Sequence, residues 1–437
     1  MRRAIILALL YFGIEFILPL GPGTALAQGL LTFGFLILAA YTVGEIAAAV
    51  GLPRIVGYLL AGVLFGPAVL GTFSASVVGT LRPVSSLAIA LIAFLAGAEL
   101  QWAEVRARGV TILKILSLEL LLCFAGLVAT LYLLHDMLPL LANAPPREVI
   151  AFAVLFAAVA IVHSPAVTMA LLSETGARGD VARTTLGVVL VADVAVILFF
   201  SGALAVARGL VPPAGGGVLS MSVVAWELGG AVLVGAALGG AVALYIRFVR
   251  GELFVFALVI AFLGAEIAHL AHVETLLTLL VAGFVAENAS GGKGDALRHA
   301  MERAAAPVFV VFFALAGADI KLGAVAELWP LVIPLVLVRA LAIYAGCALG
   351  ARWAGAVNGE GRYVWMGLIS QAGVAIGLAA VVADVYPQRG EELRTLFLAT
   401  LTINQTLGPV LFRQALVRSG ELAPATDPDP EARRSAA

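Results

Sequence analysis

The sequence predicts an all-α polytopic membrane protein of about 13–14 transmembrane helices, built as two inverted six-helix repeats with two broken, crossing helices. Three observations predict it. Apolar runs of about 18–25 residues recur from end to end, in a chain of 437 residues that is 62% hydrophobic and 12% charged. Lysine and arginine gather on alternate loops between those runs. Two segments of the first half return in the second.

Mean hydropathy is +1.08, whereas a soluble domain is about a quarter charged and needs no such succession of runs. The net charge of −1 identifies no partner, because charge in such a protein is a matter of placement. Nothing points to nucleic acid; the surrounding partner is lipid.

In order, the runs are 3–20, 29–50, 54–70, 84–100, 110–134, 148–173, 181–207, 223–248, 252–271, 273–288, 304–320, 329–351, 362–385 and 394–416. With the N-terminus on side A and loops alternating, eighteen of the 26 basic residues fall on side A, six on side B, and Lys114 and Arg339 inside runs. That bias makes side A cytoplasmic and supports the number of spans, since one wrong span would scramble the alternation. The C-terminus then lies in the cytoplasm, and a bacterial inner membrane is the expected location. Residues 1–28 read either as a first helix or as a signal-like segment with Ala25-Leu26-Ala27 before Gln28, although Glu15 fits a signal poorly.

The internal similarity assigns the domains. YLLAGVLFGP (58–67) lies on TLLVAGFVAEN (278–288) when Ala61-Gly62 is set on Ala282-Gly283. AFLAGAEL (93–100) lies on FALAGADI (313–320), with Gly97-Ala98-Glu99 on Gly317-Ala318-Asp319. The displacements are 221 and 220 (283 − 62 and 317 − 97). The expected units are repeat 1 over 29–207, a linker helix over 208–250, repeat 2 over 251–417 and a disordered polar tail over 418–437. The copies stand seven spans apart, so the second enters the membrane from the opposite face. Inverted repeats of that kind build alternating-access transporters, whose sites lie where broken helices meet.

The fifth span of each repeat offers such a break. FAAVAIVHSPAVTMALL carries His163, Ser164 and Pro165 at its middle, and a proline there removes a backbone bond. GLISQAGVAIGLAAVV carries Ser370, Gln371, Gly373 and Gly377. Either alone reads as a kink with glycines for helix packing; their equivalent positions favour a crossing.

An ionisable group at bilayer depth costs about 2.5–3.5 kcal/mol or more on insertion scales. Asp193 is central in LGVVLVADVAVILFF (186–200), with no cation near it in sequence. It reads as a carboxylate lining a watery cavity, able to hold a proton or a small hard cation but not both, rather than as a structural acid. Arg339 and Glu119 are repeat mates. Arg339 either compensates the negative ends of half-helices, bridges Glu119, or takes part in transport. His163 is a ligand, a proton acceptor or a structural hydrogen-bonder. Ser164 and Thr168 offer hydroxyl oxygens, and Asn404-Gln405 stand near the mate of Ala192-Asp193. Lys114, Glu99, Asp319, Glu287 and Asp384 lie near span ends, where snorkelling explains them. Glu266 and His269 make one Glu-x-x-His pair, too little for a di-metal site. Cys123 and Cys347 sit in apolar runs as small core residues. No His-Glu-x-x-His motif or paired catalytic acids occur, so neither an enzyme, a cofactor nor a resident metal is expected.

At LPRIVGYLLAGVLFGPAVLG (52–71), LIAFLAGAEL, LVADVAVILFF and SQAGVAIGLAAVV the chain resembles the monovalent cation:proton antiporter superfamily. The resemblance is greatest to its bacterial sodium/proton antiporter and potassium-efflux branch, over roughly residues 30–417. It implies exchange of protons for sodium or potassium, a core domain moving against a dimerisation domain, and a homodimer. It puts the essential acid on Asp193, the buried basic residue on Arg339, and the unwound crossing on His163-Ser164-Pro165 and Gln371 to Gly377. Two departures stand out: Ala192 where the family usually has a polar residue, and His163 where it often has Thr or Ser and which is the candidate to compensate. The regulatory nucleotide-binding domain of some relatives is not expected in the short tail. A carrier of organic anions on the same fold is the alternative, disfavoured by an acid at the crossing.

Overall fold

The computed structural model describes residues 2–17, 25–100, 102–139, 141–212, 221–248, 253–290, 307–320, 322–356, 359–371 and 374–422. Among them every extended element is a helix, and seven stretches are long and apolar enough to cross a membrane. Shorter apolar helices of 10–17 residues accompany them, including Arg54–Phe65, Thr275–Ala289 and Pro307–Ala318. The molecule is an integral membrane protein of helices.

In chain order the helices are α1 (Arg2–Ile17), α2 (Ala25–Ala49), α3 (Arg54–Phe65), α4 (Ala75–Thr80), α5 (Arg82–Ala98) and α6 (Trp102–Leu133). Then come α7 (Pro146–Ala160), α8 (Pro165–Thr175), α9 (Asp180–Leu210), α10 (Met221–Phe248), α11 (Leu253–Leu270) and α12 (Thr275–Ala289). The last are α13 (Pro307–Ala318), α14 (Leu322–Ala354), α15 (Glu360–Gly367), α16 (Val374–Val385) and α17 (Pro387–Arg418).

Local chemistry explains the boundaries that matter. The span expected over 54–70 stops as helix at Phe65, because Gly66 turns extended and Pro67 cannot continue the ladder. The expected fifth span of repeat 1 is two helices, α7 and α8. Ser164 caps α8 by accepting from Val167 N, and Pro165 occupies the first helical turn, where its missing N–H costs nothing. Gly176, left-handed at φ 65°, ends α8. The equivalent span of repeat 2 is likewise divided, into α15 and α16, with Leu368 to Gln371 irregular between them. Gly373 lies outside the described residues, as do 18–24 and 423–437.

The Ala25-Leu26-Ala27 sequence is the first turn of α2. Helix α1 packs on the bundle: Ile14 is buried, Tyr11 meets the Phe65 ring, and Arg3 pairs with Glu45 at 3.1 Å. The first residues of the expected tail are held too. Glu421 accepts from Val181 N and Ala182 N at 2.7 and 2.9 Å, a carboxylate at the positive end of α9.

Among the described residues two large apolar cores form, with a small third around Ala231, Ala268, Val273 and Leu277. One is built by α1–α5 and α10–α13, with Phe35, Phe65, Phe94 and Phe313; α8 closes onto it, and parts of α9, α15 and α17 reach it. The other is built by α6, α7, α9 and α14–α17, with Phe152, Phe156 and Phe397. Lipid is as apolar as these side chains, so burial alone does not drive helix association in a bilayer; close packing of small residues does.

Four glycines carry that packing at the centre of the first core. A Cβ on Gly62 would strike Ala314 O, and one on Gly283 would strike Phe94 O. One on Gly97 would strike Leu280 O, and one on Gly317 would strike Leu59 O. Under the sequence offsets Gly62 corresponds to Gly283 and Gly97 to Gly317. Each contact therefore reappears with its two halves exchanged, the pattern that a two-fold relation between the halves generates. Helices α6 and α14 lie similarly close, with Gly346 against the Glu119 backbone and Gly350 against Ile115.

Candidate functional site

The two interruptions meet around Arg339 of α14. Its guanidinium donates from Nε to Ala160 O at 2.8 Å, from Nη1 to Ile369 O at 2.8 Å, and from Nη2 to Val162 O at 3.1 Å and Leu368 O at 3.3 Å. Those carbonyls are the C-terminal ends of α7 and α15. Each half-helix end carries about −0.5 charge, so two of them balance one guanidinium. The guanidinium thus lies on the carbonyl ends of both half-helices and not on Glu119.

Glu119, its mate on α6, goes elsewhere. Its Oε2 lies 3.1 Å from His163 Nε2, and Oε1 is buried with no hydrogen-bond partner among the described residues. His163 Nδ1 lies 2.7 Å from Leu368 O. A carbonyl only accepts, so Nδ1 carries hydrogen in this contact, which outranks the longer 3.4 Å approach of Arg339 Nη2 to the same nitrogen. One proton then occupies the Nε2···Oε2 contact, as imidazolium with carboxylate or imidazole with carboxylic acid, and the pair is neutral either way. Both residues are 0% exposed, which makes neutrality the cheap arrangement.

Gln371 and Asn404 extend this polar layer. Gln371 Nε2 donates to Ala160 O at 2.6 Å, and Asn404 Nδ2 donates to Gln371 Oε1 at 2.8 Å. Gln405 and Ser370 are buried nearby in sequence; Ser370 rests against Gly408, and its Oγ has no hydrogen-bond partner among the described residues. Gly377 on α16 has open space where a Cβ would point.

Asp193 lies about halfway along α9. Its Oδ1 is closed off and has no hydrogen-bond partner among the described residues. It lines a narrow cavity of about 40 Å³ with Ser164, Pro165 and Ala166, the start of α8, and with Val374, the start of α16. The other wall is Ile89, Ile92, Ala93 and Ala96 of α5, Leu276 and Leu280 of α12, and Phe312 of α13. Asp193 thus shares its cavity with the positive ends of α8 and α16, while the negative ends of α7 and α15 share Arg339. It also stands where the two apolar cores meet.

Of the expected ligands, Ser164 lines this cavity, and His163 and Thr168 do not. His163 is committed to Glu119 and Leu368, and Thr168 Oγ1 donates to Ser164 O at 3.1 Å. Asn404 supports the second break and does not line the cavity either. Ala192 is buried in the second core. Sequence reasoning passed over Glu274. It caps α12 and lines a second, smaller cavity together with Asp193. An acid opening the apolar run TLLTLLVAGF was the available signal.

Fold and site together define a class: an all-helical membrane protein with two paired, broken helices around a buried arginine and a separate acid. A family model, described as "Sodium/hydrogen exchanger, transmembrane", matches residues 33–413. The chain belongs to that family of cation:proton antiporters. The solved sodium proton antiporter MjNhaP1 of Methanocaldococcus jannaschii at pH 8 shares the fold, with 17% identity, TM-score 0.67, and 91% of this chain covered by 97% of that one. A second structure of MjNhaP1, by electron microscopy, gives TM-score 0.69 at 17% identity, covering 90% of this chain and 98% of its own. No curated protein sequence matches the chain.

Proposed function

We propose that the protein exchanges protons for a monovalent cation, sodium or potassium, by alternating access, with Asp193 as the shared site. The observation that carries this reading is the unpartnered Asp193 Oδ1 in a cavity between two cores, facing the first turns of α8 and α16. A carboxylate there holds a proton or a cation, and each guest displaces the other. Ser164 contributes a hydroxyl oxygen. The second core, with α6, α7, α9 and α14–α17, slides against the first, carrying α8 with it, and exposes Asp193 to one face and then the other.

The exchanged glycine contacts support two inverted repeats, over 29–207 and 251–417, joined through α10. A homodimer through the first core, and a bacterial inner membrane with the C-terminus in the cytoplasm, complete the proposal. With one free acid the exchange is one-for-one and electroneutral.

The test is proton flux driven by sodium or potassium in proteoliposomes. Asp193→Asn is expected to abolish it while leaving a monodisperse protein; normal exchange by that variant overturns the assignment. Organic acids in place of the cations are expected to drive no flux, because an acid at the crossing repels them.

A further inference from the structure

Glu274 and Asp193 approach one small cavity from opposite sides of the seam between the two cores. Asp193 belongs to α9 of the second; Glu274 caps α12 of the first, beside Leu276, Leu277 and Leu280. The shared space is about 10 Å³, close to the room one water needs. The rest of its wall is Leu190, Val194, Ile197 and Val374. Among the described residues no basic residue lines it, and neither does any other polar side chain.

Glu274 is fixed in place. Its Oε1 accepts from Leu276 N at 3.1 Å, its Oε2 from Leu277 N, and its own N donates to Glu227 O of α10 at 3.2 Å. Two backbone N–H groups and a helix N-terminus favour the charged form of its carboxylate, against the burial that favours the neutral form. The ionisable groups facing it are Asp193 from α9 and Glu227 from α10, both acids. Asp193 Oδ1, by contrast, is buried and unpartnered among the described residues. Two carboxylates in one apolar cavity do not both stay bare. One of them needs a proton or a cation, and the free one is Asp193.

We propose that Glu274 is a gate acid: a fixed negative charge on the first core that admits Asp193 into this arrangement only when Asp193 carries a proton or a cation. The arrangement forms when the two cores slide together, so the repulsion falls on the empty carrier alone. An empty carrier that cannot complete the slide cannot return unloaded. Glu274 thereby enforces coupling, and its carboxylate also draws cations, not anions, towards the cavity. This rests on the reading of Asp193 as the shared site.

The experiment uses the full-length protein in proteoliposomes and the variants Glu274→Gln, Glu274→Ser and Glu274→Asp. Serine keeps a side-chain acceptor for the α12 cap without the charge, and aspartate keeps both. Two quantities are read: protons moved per sodium ion, and sodium exchange-independent leak at equal pH on both sides. Gln and Ser are expected to raise the leak about tenfold, the change that about 1.4 kcal/mol produces. They are also expected to lower the proton-to-sodium ratio, while Asp stays with the wild type. Wild-type leak and ratio in the Ser variant mean that Glu274 is only a helix cap, and overturn the proposal. If Gln does not fold, Ser carries the test alone. Failure of the underlying reading looks different: Asp193→Asn then exchanges normally whatever position 274 does.

Discussion

His163 and Glu119, 44 residues apart in the chain, share one buried hydrogen bond of 3.1 Å that ties the α7–α8 interruption to α6. The pair is neutral as a unit, because Leu368 O forces the hydrogen of Nδ1 and leaves one proton for the other nitrogen and the carboxyl. Glu119→Gln supplies an amide donor to Nε2 in its place, so this variant is expected to fold, exchange and melt close to the wild type. Glu119→Leu strands Nε2, at a cost of about 1–3 kcal/mol, and is expected to melt earlier in detergent. Loss of exchange in Glu119→Gln as complete as that expected of Asp193→Asn would show that Glu119 itself moves a proton.

Arg339 is expected to be needed for folding before it is needed for transport. Lysine keeps the charge but cannot fork to the carbonyls of Ala160, Val162, Leu368 and Ile369. Hydrogen bonds to a charged group are worth about 1.5–3 kcal/mol each, so losing two costs at least about 3 kcal/mol. Arg339→Lys should therefore show a clearly lower melting temperature and aggregate on size exclusion. An unshifted melting curve would contradict the charge-compensation role.

The glycine contacts predict paired sensitivities. Gly62→Ala and Gly283→Ala each place a methyl against a carbonyl of the facing helix, and overpacking costs about 1–3 kcal/mol. Their destabilisations are expected to match, since the two sites are equivalents. Gly377→Ala meets open space and gains about 0.5–1 kcal/mol of helix preference. Thermal melts of the three proteins check this; a tolerated Gly283→Ala beside a damaging Gly62→Ala would break the equivalence.

A shared site also fixes the sign of the pH dependence. Protons occupy Asp193 increasingly as pH falls, so the apparent KM for sodium should rise towards acid pH. The maximal rate at saturating sodium should be little changed over the upper part of that range. Initial rates over a sodium series at several pH values measure this, and a KM that ignores pH would count against competition at one carboxylate.

The features legible in the sequence are those whose energy is local. Serine before proline favours a helix start, so the α7–α8 break could be read at Ser164 and Pro165. The cost of a lone acid inside an apolar run marks Asp193 without any knowledge of its neighbours. The glycines at 62, 97, 283 and 317 repeat in the sequence as they do in the packing. Glu119 and Arg339 stood out for the same reason as Asp193, but which atoms they meet did not. Arg339 reaches residues 177 and 179 positions away in the chain, and Glu119 meets a histidine rather than its mate.

Membrane insertion, the run of helices, the two interruptions and the identity of the costly charges were thus determined by the sequence itself, since each follows from residues within a few turns of one another. Only the tertiary structure decided that His163 serves Glu119 instead of the cavity beside Asp193, and that Glu274 faces Asp193. Those pairings depend on how separate helices cross. In lipid the crossing is set by close backbone contact between distant segments, which no local pattern records.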